Sequence, residues 1–594
     1  VTVMIKGSQT GTTTDKDGHF TIDISDAKAI LVFSHIGFDT QEVIVGNQTK
    51  LEISLIESAE TLKEAVVTAL GIKREKRSLG YSVGSVDGLA LTQTPQSNVL
   101  NSLQGKVAGV QISQMGGGVG SSVNMVIRGQ SSLNNDNQPL FIIDGVPVKN
   151  KINNGFAGAD MGNPISDLNP NDIENVSVLK GPSAAALYGS RAGQGVVLIT
   201  TKSGKRNGIG ISLNTSVVVD VPIQYMEVQN KFGSGKLGAH LLEEQENESW
   251  GAQLDAGEMW AQWDSKGEKV PLISHPNRFK DFFQTGVTNT NDVAINGSYD
   301  KGNFRLSVGN MKNKGLIPNT DLDRLTIALN TSYNLSKKLK ASVNFNVTET
   351  GSDNRPMIDA SRNDAVRSVY ETGAQVDINK MRDYWIPGQE GLAQLRYKDK
   401  QNNPFYIAYE NPTGFKRDRT VSKVQLDYNI TDDLVLTGRF SRDAFSEKMT
   451  AKKAFNNFEF INGAYEINNT SFKETNADLL LSYKKTFEKD WSLQAMAGTS
   501  RMDQRNEGLY NNATSLVVPG LYTISNGSPG AVIYTSSWSH KRMYGLFASA
   551  SLGYKEQVYL DLTARNDWTS TLPKGNNSYF YPSASLSVIL SEMI

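Results

Sequence analysis

The chain has 594 residues, more than the roughly 250–300 that one hydrophobic core usually holds, so its length predicts several domains or one very large sheet. Its 60 Lys and Arg nearly balance 61 Asp and Glu, and without a net positive charge we expect no nucleic-acid partner. With no cysteine and no run of about 18 apolar residues, the sequence excludes a disulfide framework and a transmembrane helix.

Residues 1–58 contain short runs of β-forming residues between Gly, Asp and Asn, which predicts a small β-sandwich. DKDGHF, residues 15–20, spaces two acids like the start of a calcium loop, but no Glu follows at the twelfth position, so a turn is favoured over a metal site. The stretch GTTTDKDGHFTI resembles the carboxypeptidase-regulatory-like, transthyretin-type domains, which are non-catalytic. Because the chain opens inside such a strand and without Met, we expect its natural start to lie upstream.

Residues 59–79 form a second predicted segment, a linker that contains one isolated strand. ETLKEAVVTALG, residues 60–71, places β-forming Val66 and Val67 between acidic residues and the basic run IKREKRS. No partner strand is evident in the neighbouring sequence. An exposed extended segment can add to the sheet edge of another protein through main-chain hydrogen bonds. An ordinary linker, or an extra strand of the sandwich, is the alternative.

Residues 80–205 are rich in glycine and predict a small mixed domain of tightly turning strands. The motifs VIRGQSSL, PLFIIDGVPV and LNPNDIENVSVLKGPSAAALYGSRAGQGVVLITTKSG occur here in that order. They are similar to the plug domain of SusC/RagA-type TonB-dependent outer-membrane transporters. The resemblance implies an α+β plug domain. It also identifies the isolated strand as a TonB-binding Ton box, made of Thr61, Leu62, Lys63, Glu64, Ala65, Val66, Val67, Thr68 and Ala69.

From residue 206 to 594 the pattern is strict alternation, as in LTIALNTSYNL at 325–335. Runs of about 9–11 residues have the length of tilted strands that cross an outer membrane. A soluble β-sandwich also alternates, but short connections here mostly take turns with long ones, roughly 220–290, 350–420, 443–474 and 501–540, which is typical of a transmembrane antiparallel β-barrel. About twelve strands are present whereas plugged transporters use about 22, so we expect this to be the N-terminal part of a longer barrel.

No catalytic motif is evident in the sequence. The five His form neither HExxH nor a Cys/His cluster, and MGGGVGSS lacks the Lys-Ser/Thr of a phosphate loop. Ser183 and Ser190 stand outside any G-x-S-x-G elbow. We therefore predict that the chain is not an enzyme and has no catalytic residue, metal site or cofactor.

Charged residues of the plug motifs are candidates for contacts with the barrel, because a plug in a polar lumen must be held by hydrogen bonds and ion pairs. The candidates are Arg128, Asp144, Lys180 and Arg191, with simple solvation as the alternative for each. The predicted long loop 350–420 contains three aromatic residues that could bind substrate by stacking, Tyr384, Trp385 and Tyr397. Packing within the loop would also place aromatic residues there.

The resemblance implies active import of a large nutrient, an oligosaccharide or oligopeptide, across the bacterial outer membrane. Its partners would be TonB with the energy-coupling ExbB/ExbD proteins, a SusD-like surface lipoprotein as lid, outer-membrane lipid and the substrate. The N-terminal domain and Ton box would be periplasmic. The oligomeric state stays open, with a dimer of transporter–lid pairs as one arrangement. A receptor or signal transducer of the same architecture, or a surface glycan-binding enzyme, are the alternatives.

Overall fold

The structure is a computed structural model in which the chain divides into two compact units, Val1–Val66 with Lys73–Leu79 and Val67–Ile72 with Gly80–Ile594. No helix among the described residues is long and apolar enough to span a membrane. The structure describes residues 1–593 except 7–9, 16–17, 25, 27–28, 36–37, 39–40, 47, 56–64, 68–72, 94–95, 119, 134–136, 151–155, 182–185, 205–207, 241–247, 358, 360, 399 and 489.

The first unit is built on a four-stranded antiparallel sheet in the order β2-β1-β3-β4. Its strands are β1 (Thr2–Ile5), β2 (Gly11–Thr13), β3 (Ile30–Ser34) and β4 (Gln41–Ile44). Val3, Leu31 and Phe33 alternate inward to form the core. Two further predicted strands, around residues 19–24 and 50–55, are not assigned as strands, but their apolar side chains cover the same core.

The segment predicted to be an isolated strand has a partner within the chain. β5 (Ala65–Val67) and β6 (Lys73–Glu75) form a two-stranded sheet of their own. The prediction that β5 would find no partner nearby is therefore wrong: the basic run after it supplies one. The remaining Ton box residues, Thr61 to Glu64, Thr68 and Ala69, lie outside the described residues.

The plug is an α+β domain with a five-stranded sheet in the order β11-β10-β13-β12-β7, beside the hairpin β8-β9. Its elements are β7 (Val83–Asp87), α1 (Gly88–Thr92), β8 (Val110–Gln114), β9 (Val123–Ile127), β10 (Leu140–Ile143), β11 (Val146–Val148), β12 (Ile173–Leu179) and β13 (Val196–Thr201). β10 and β13 pair in parallel, and the apolar side chains of β10, β12 and β13 fill one core.

The hairpin from β10 to β11 shows how the sequence sets the local geometry. Asp144 and Gly145 connect the two strands with positive φ angles of 49° and 85°. A two-residue turn of this kind requires positive φ at both positions, which explains the Asp-Gly pair between two apolar strands.

A twelve-stranded antiparallel sheet, in which each strand pairs with the next along the chain, surrounds the plug. It confirms the predicted number of strands and the mainly β fold. Its strands are β14 (Gly208–Asp220), then β19 (Gly286–Tyr299), β20 (Gly302–Lys314), β21 (Asp321–Asn334), β22 (Leu339–Ser352), β23 (Thr413–Asn429), β24 (Leu434–Phe455), β25 (Asn462–Phe487), β26 (Trp491–Ala513), β27 (Val532–Tyr554), β28 (Val558–Thr569) and β29 (Ser578–Val588).

The loops between these strands carry small elements. They are β15 (Gly235–Lys236), β16 (Ala239–His240), β17 (Met259–Ala261), β18 (Lys269–Pro271), α2 (Arg278–Phe282), α3 (Ala365–Tyr370) and α4 (Pro404–Glu410). The predicted long loops 443–474 and 501–540 are much shorter, because β24 to β27 continue as paired strands of 22–26 residues. In these continuations polar residues occur on both faces, so the apolar alternation that marks a strand fades although the ladder continues.

The polarity of the twelve-stranded sheet is inverted relative to a soluble protein. On β21, Leu325 and Ile327 are exposed on the outer face, whereas Arg324, Thr326 and Asn330 are buried on the inner face. Exposed aromatic side chains mark the end of the strands where the turns are short: Tyr299, Tyr333, Tyr428, Phe487 and Trp491. An apolar outer band with an aromatic rim is the surface that a transmembrane β-barrel presents to lipid.

Replacing Ile327 with Arg is expected to lower the free energy of unfolding by about 2–4 kcal/mol, because the guanidinium would lie in hydrocarbon. Leu335→Arg, just past the end of β21, should cost at most about 1 kcal/mol since its side chain reaches the interface. Urea titrations of the full-length protein folded into lipid vesicles would measure both. Equal costs at the two positions would contradict the assignment of the outer face to lipid.

Candidate functional site

The site that the fold creates is the contact between the plug and the inner face of the barrel. Its centre is the turn Pro164–Asp167, which ends in the buried carboxylate of Asp167. Two arginines that lie two residues apart on β23 point at this carboxylate: Arg417 Nη1 is 3.3 Å from Asp167 Oδ1, and Arg419 Nη1 is 3.7 Å from Asp167 Oδ2. All three side chains are at most 4% exposed, so water screens this contact little.

Each of these arginines also has its own acid on β24. Arg417 Nη2 lies 2.5 Å from Glu447 Oε1, and Arg419 Nε lies 2.9 Å from Asp443 Oδ1. The second oxygen of Asp443 accepts the backbone N–H of the plug residue Lys149 at 2.9 Å. Acids of the wall therefore position both guanidinium groups, which at the same time contact the carboxylate of Asp167 in the plug.

A second polar contact lies on β19 and β20, where the plug turn Pro170–Asp172 meets the wall. Arg305 Nη1 donates to Asp172 Oδ1 at 2.6 Å, and the hydroxyl of Ser307 donates to the same oxygen at 2.7 Å. Asn169 and Asn171 donate to the two oxygens of Asp292 at 2.5 and 2.6 Å. The sequence LNPND thus supplies three wall contacts within four residues.

Arg191 makes the third contact. Its Nη1 and Nη2 donate to the two carboxylate oxygens of Glu474 on β25, at 2.8 and 3.1 Å, the bidentate geometry expected of an Arg–carboxylate pair. The turn Ala186–Ala192 that presents it contains Gly189 at φ 67°, where an added Cβ would come within 2.1 Å of the carboxylate of Asp567. Only glycine lets this turn approach the wall so closely.

Asp144 touches the wall through its main chain and also through its carboxylate, which accepts a hydrogen bond from Asn344 Nδ2 on β22 at 3.4 Å. Lys423 Nζ donates to the Asp144 carbonyl at 2.6 Å. The carboxylate faces Thr201 inside the plug and accepts its N–H at 2.9 Å and its hydroxyl at 2.5 Å. Burial raises the pKa of the Asp144 carboxyl, and the two hydrogen bonds from Thr201 oppose that rise.

The other two predicted contact residues lie elsewhere on the plug. Arg128 is exposed in a left-handed turn at φ 58°, and its backbone N–H donates to the carbonyl of Gly109 at 2.9 Å. Lys180 is buried, and its Nζ donates to the carbonyl of Ala108 at 2.6 Å. Both of these bonds join parts of the plug to one another.

Sequence reasoning named no barrel residue of this contact. Arg417 and Arg419 belong to FKRDRTV, where two arginines with period-two spacing lead directly into an apolar strand. That spacing puts both side chains on the inner face of β23. The signal was hidden because residues 350–420 were assigned to a loop, whereas β23 begins at Thr413.

The three aromatic residues predicted to bind substrate pack against other residues of the long loops. Tyr397 is 4% exposed, and its hydroxyl accepts hydrogen bonds from Gly373 N and Gln375 Nε2 at 3.3 and 3.2 Å. Tyr384 donates to Glu410 at 2.8 Å, and Trp385 lies edge-on against a neighbouring Tyr ring. The Tyr397 hydroxyl also shares a hydrogen bond with Ser234 of the first long loop, so packing between the two long loops accounts for the burial of Tyr397.

Comparisons with known proteins agree with this architecture. The family described as TonB-dependent Receptor Plug Domain matches residues 75–196, and the CarboxypepD_reg-like domain matches residues 1–67. The chain is 28% identical to TonB-dependent receptor P3 of Formosa agariphila over 99% of its own length and 54% of that protein. It is 33% identical to TonB-dependent receptor SusC of Bacteroides thetaiotaomicron over 55% of the chain and 30% of that protein.

Among solved structures, the RagAB peptide importer in its open-open state shares the fold with a TM-score of 0.67 at 18% identity. The match covers 88% of this chain and 58% of that one. The chain thus spans about half the length of the curated relatives it matches.

A plug enclosed by an antiparallel sheet with an apolar outer face defines the class as the plugged β-barrels of the bacterial outer membrane. Within that class, the matches to the plug and carboxypeptidase-regulatory-like families and the similarity to TonB-dependent receptor P3 and to SusC support a TonB-dependent receptor of the SusC/RagA type.

Glu474→Gln is expected to loosen the plug by about 2 kcal/mol, because Arg191 keeps a hydrogen-bond acceptor but loses the buried charge opposite it. Hydrogen exchange of the β12 and β13 amides at low urea, in the full-length protein in detergent, would measure this. The barrel amides should exchange as before.

Glu349→Gln provides the matched control, since Glu349 pairs with Lys416 at 2.6 Å but both side chains are more than half exposed. Solvent screens such a pair, so we expect no measurable change in plug exchange. Similar effects of the two substitutions would show that the buried pair does not hold the plug.

Proposed function

We propose that this protein imports a large nutrient, an oligosaccharide or oligopeptide, across the outer membrane by TonB-dependent active transport. The observation that carries the proposal is the chemistry of the plug contact. The wall holds the turns Pro164–Asp167, Pro170–Asp172 and Ala186–Ala192 through ion pairs and hydrogen bonds. Water can replace such bonds when the plug moves, whereas an apolar interface would resist opening.

The Ton box strand supports the coupling step. Among the residues that the structure describes, β5 pairs with β6 alone, in a two-stranded sheet of three-residue strands. Two strands alone are marginally stable in water, so β5 can leave β6 at low cost and pair with TonB instead. Main-chain pairing carries load largely independently of side chains, which suits a segment that TonB pulls from the periplasm.

A polar space beside the plug supports passage of a hydrophilic cargo. A cavity of about 790 Å³ separates plug residues 96–118 from the inner face of β14, β19 and β20. Its wall side is lined largely by short polar side chains, among them Asn214, Ser216, Thr288, Thr290 and Asn313. Movement of the plug away from these strands would join this space to both sides of the barrel.

The lid and the cargo are the finer parts of the proposal. The RagAB structure of similar fold is a peptide importer, and SusC is a TonB-dependent receptor. We therefore propose a peptide or a glycan as the cargo of this chain and a SusD-like lipoprotein as its lid. Exposed apolar side chains on the first long loop, including Ile223, Leu237 and Trp250, give a lid a surface to cover. A receptor that only signals would bind the same cargo without uptake.

Val66→Pro is expected to abolish uptake, because proline removes the backbone N–H that strand addition requires. Val66→Ala keeps that N–H and should retain most of the uptake. Uptake by cells, together with binding of the purified periplasmic domain of TonB, would measure both variants.

Cargo binding and barrel assembly should be the same in the two variants. A fall in gel mobility on heating would show that the barrel of each variant is folded. Full uptake by Val66→Pro would reject the Ton box assignment. Cargo binding without uptake by the unmodified protein would instead favour the signalling receptor.

A further inference from the structure

The outer face of β24 to β27 shows three kinds of surface in a fixed order along the strands. The surface nearest the short turns, called the lowest here, is apolar, with the side chains of Phe440, Leu479, Leu481 and Leu546 exposed. Its lower edge is the ring pair Trp491–Tyr554, whose centroids are 4.6 Å apart, and its upper edge is Tyr544, with the Arg501 guanidinium 5.7 Å from the ring. Residues 491–501 on a tilted strand rise about 25 Å, the height of the lipid-facing band.

Immediately above this band lies a basic cluster formed by Arg505, His540 and Arg542. All three contact the carboxylate of Asp503: Arg505 Nε at 3.4 Å, His540 Nε2 at 3.1 Å and Arg542 Nε at 2.9 Å. The exposed Lys473 lies opposite Arg505 in the strand register.

The basic cluster keeps much of its charge available to a ligand. The Arg505 and Arg542 side chains remain 56% and 46% exposed. Asp503 and the nearby Glu507 are the acids on these faces of β26, and Asp503 has to be shared between several donors. The arginines therefore have N–H groups left over for an anion at the edge of the membrane.

A groove of about 660 Å³, lined mostly by polar residues and by Leu509 and Trp538, lies next above the basic cluster on the same strands. Its outward-facing lining includes Asn469, Ser471 and Glu507, together with Trp538, which is 79% exposed. An indole face beside amide, hydroxyl and carboxylate groups suits the ring and hydroxyls of a sugar.

We propose that this outer face binds a phosphorylated glycolipid of the outer leaflet, and the proposal rests on the long loops facing the cell exterior. The acyl chains would lie along Leu479 and Leu546, the phosphate would contact Arg505, Arg542 and Lys473, and the sugar would occupy the groove at Trp538. In such a lipid the acyl chains lie below a sugar headgroup that carries the phosphate, and on the strands the apolar band likewise lies below the basic cluster and the groove, which adjoin each other.

A second copy of the chain fits this face less well. In a two-fold contact the same patch meets itself, so the basic cluster would lie against a basic cluster. Like charges opposed at an interface are unfavourable. A free phosphate ion, in turn, would use neither the apolar band nor the groove.

The test uses the full-length protein purified in detergent and diphosphorylated lipid A as the probe, with bound lipid counted by native mass spectrometry. The double variant Arg505→Ser, Arg542→Ser should bind at least tenfold more weakly, with binding that also falls as salt rises. Lys485→Ser is the matched control, since Lys485 pairs with Asp433 at 3.1 Å near the short turns at the other rim. It should change binding less than twofold.

Trp538→Ala separates the sugar from the phosphate. It should weaken binding of lipid A several-fold while binding of phosphatidylglycerol, which has a phosphate but no sugar, stays the same. Gel mobility before and after heating confirms that each variant is folded.

Unchanged lipid A binding by the double variant, or an equal loss in Lys485→Ser, would overturn the proposal. Equal binding of phosphatidylglycerol and lipid A by the unmodified protein would overturn it as well. Binding is measured on purified protein without TonB, so failure of the import proposal in the Val66→Pro experiment would leave this result unaffected.

Discussion

The polar contact between plug and barrel follows from one constraint, the placement of apolar side chains on the outer face of the sheet. In lipid, backbone groups are satisfied within the sheet and the side chains that face outward must be apolar. Strand alternation then sends the remaining residues inward, and on β23 these include Arg417 and Arg419. Buried cations need acids and hydrogen-bond acceptors. Asp443, Glu447 and the plug residue Asp167 supply the acids.

The energetics of this contact suit a part that must stay in place and yet be movable. Removing water from an Arg and a carboxylate costs nearly as much as their attraction returns, so a buried pair adds specificity more than net stability. The plug itself is held together differently, by a continuous apolar core in which Val176, Val178 and Val197 are fully buried. The part of the plug beyond its edge strand can therefore keep its core when the wall contacts break.

Sequence reasoning succeeded where a single periodicity governs a segment. Leu325, Ile327 and Tyr333 alternate with polar residues, and the twelve strands could be counted from such runs. It failed where two environments share one strand, as in β24 and β25, whose upper halves carry no apolar alternation. It also could not find the partners of Asp172 or Arg191, because contacts between residues 133 and 283 positions apart depend on the closed fold and not on local sequence.

Under the proposed TonB coupling, the connection from β5 to the plug indicates where a pull would act first. β7 is the first plug strand after the two-stranded sheet of β5 and β6, and it lies at one edge of the plug sheet, paired only with β12 among the five strands. Asp172, which contacts the wall, directly precedes β12. Arg191, which also contacts the wall, lies in the chain between β12 and β13, and both of these strands lie further inside the sheet than β7. A force transmitted through the chain from β5 would therefore load the β7–β12 ladder before it reached either ion pair.

Peeling one edge strand breaks its hydrogen bonds one after another, whereas moving the whole plug requires all wall contacts to break together. Peeling therefore has the lower barrier. On this argument, opening begins at the β7 edge while Arg191 and Asp172 still hold the rest of the plug against the barrel.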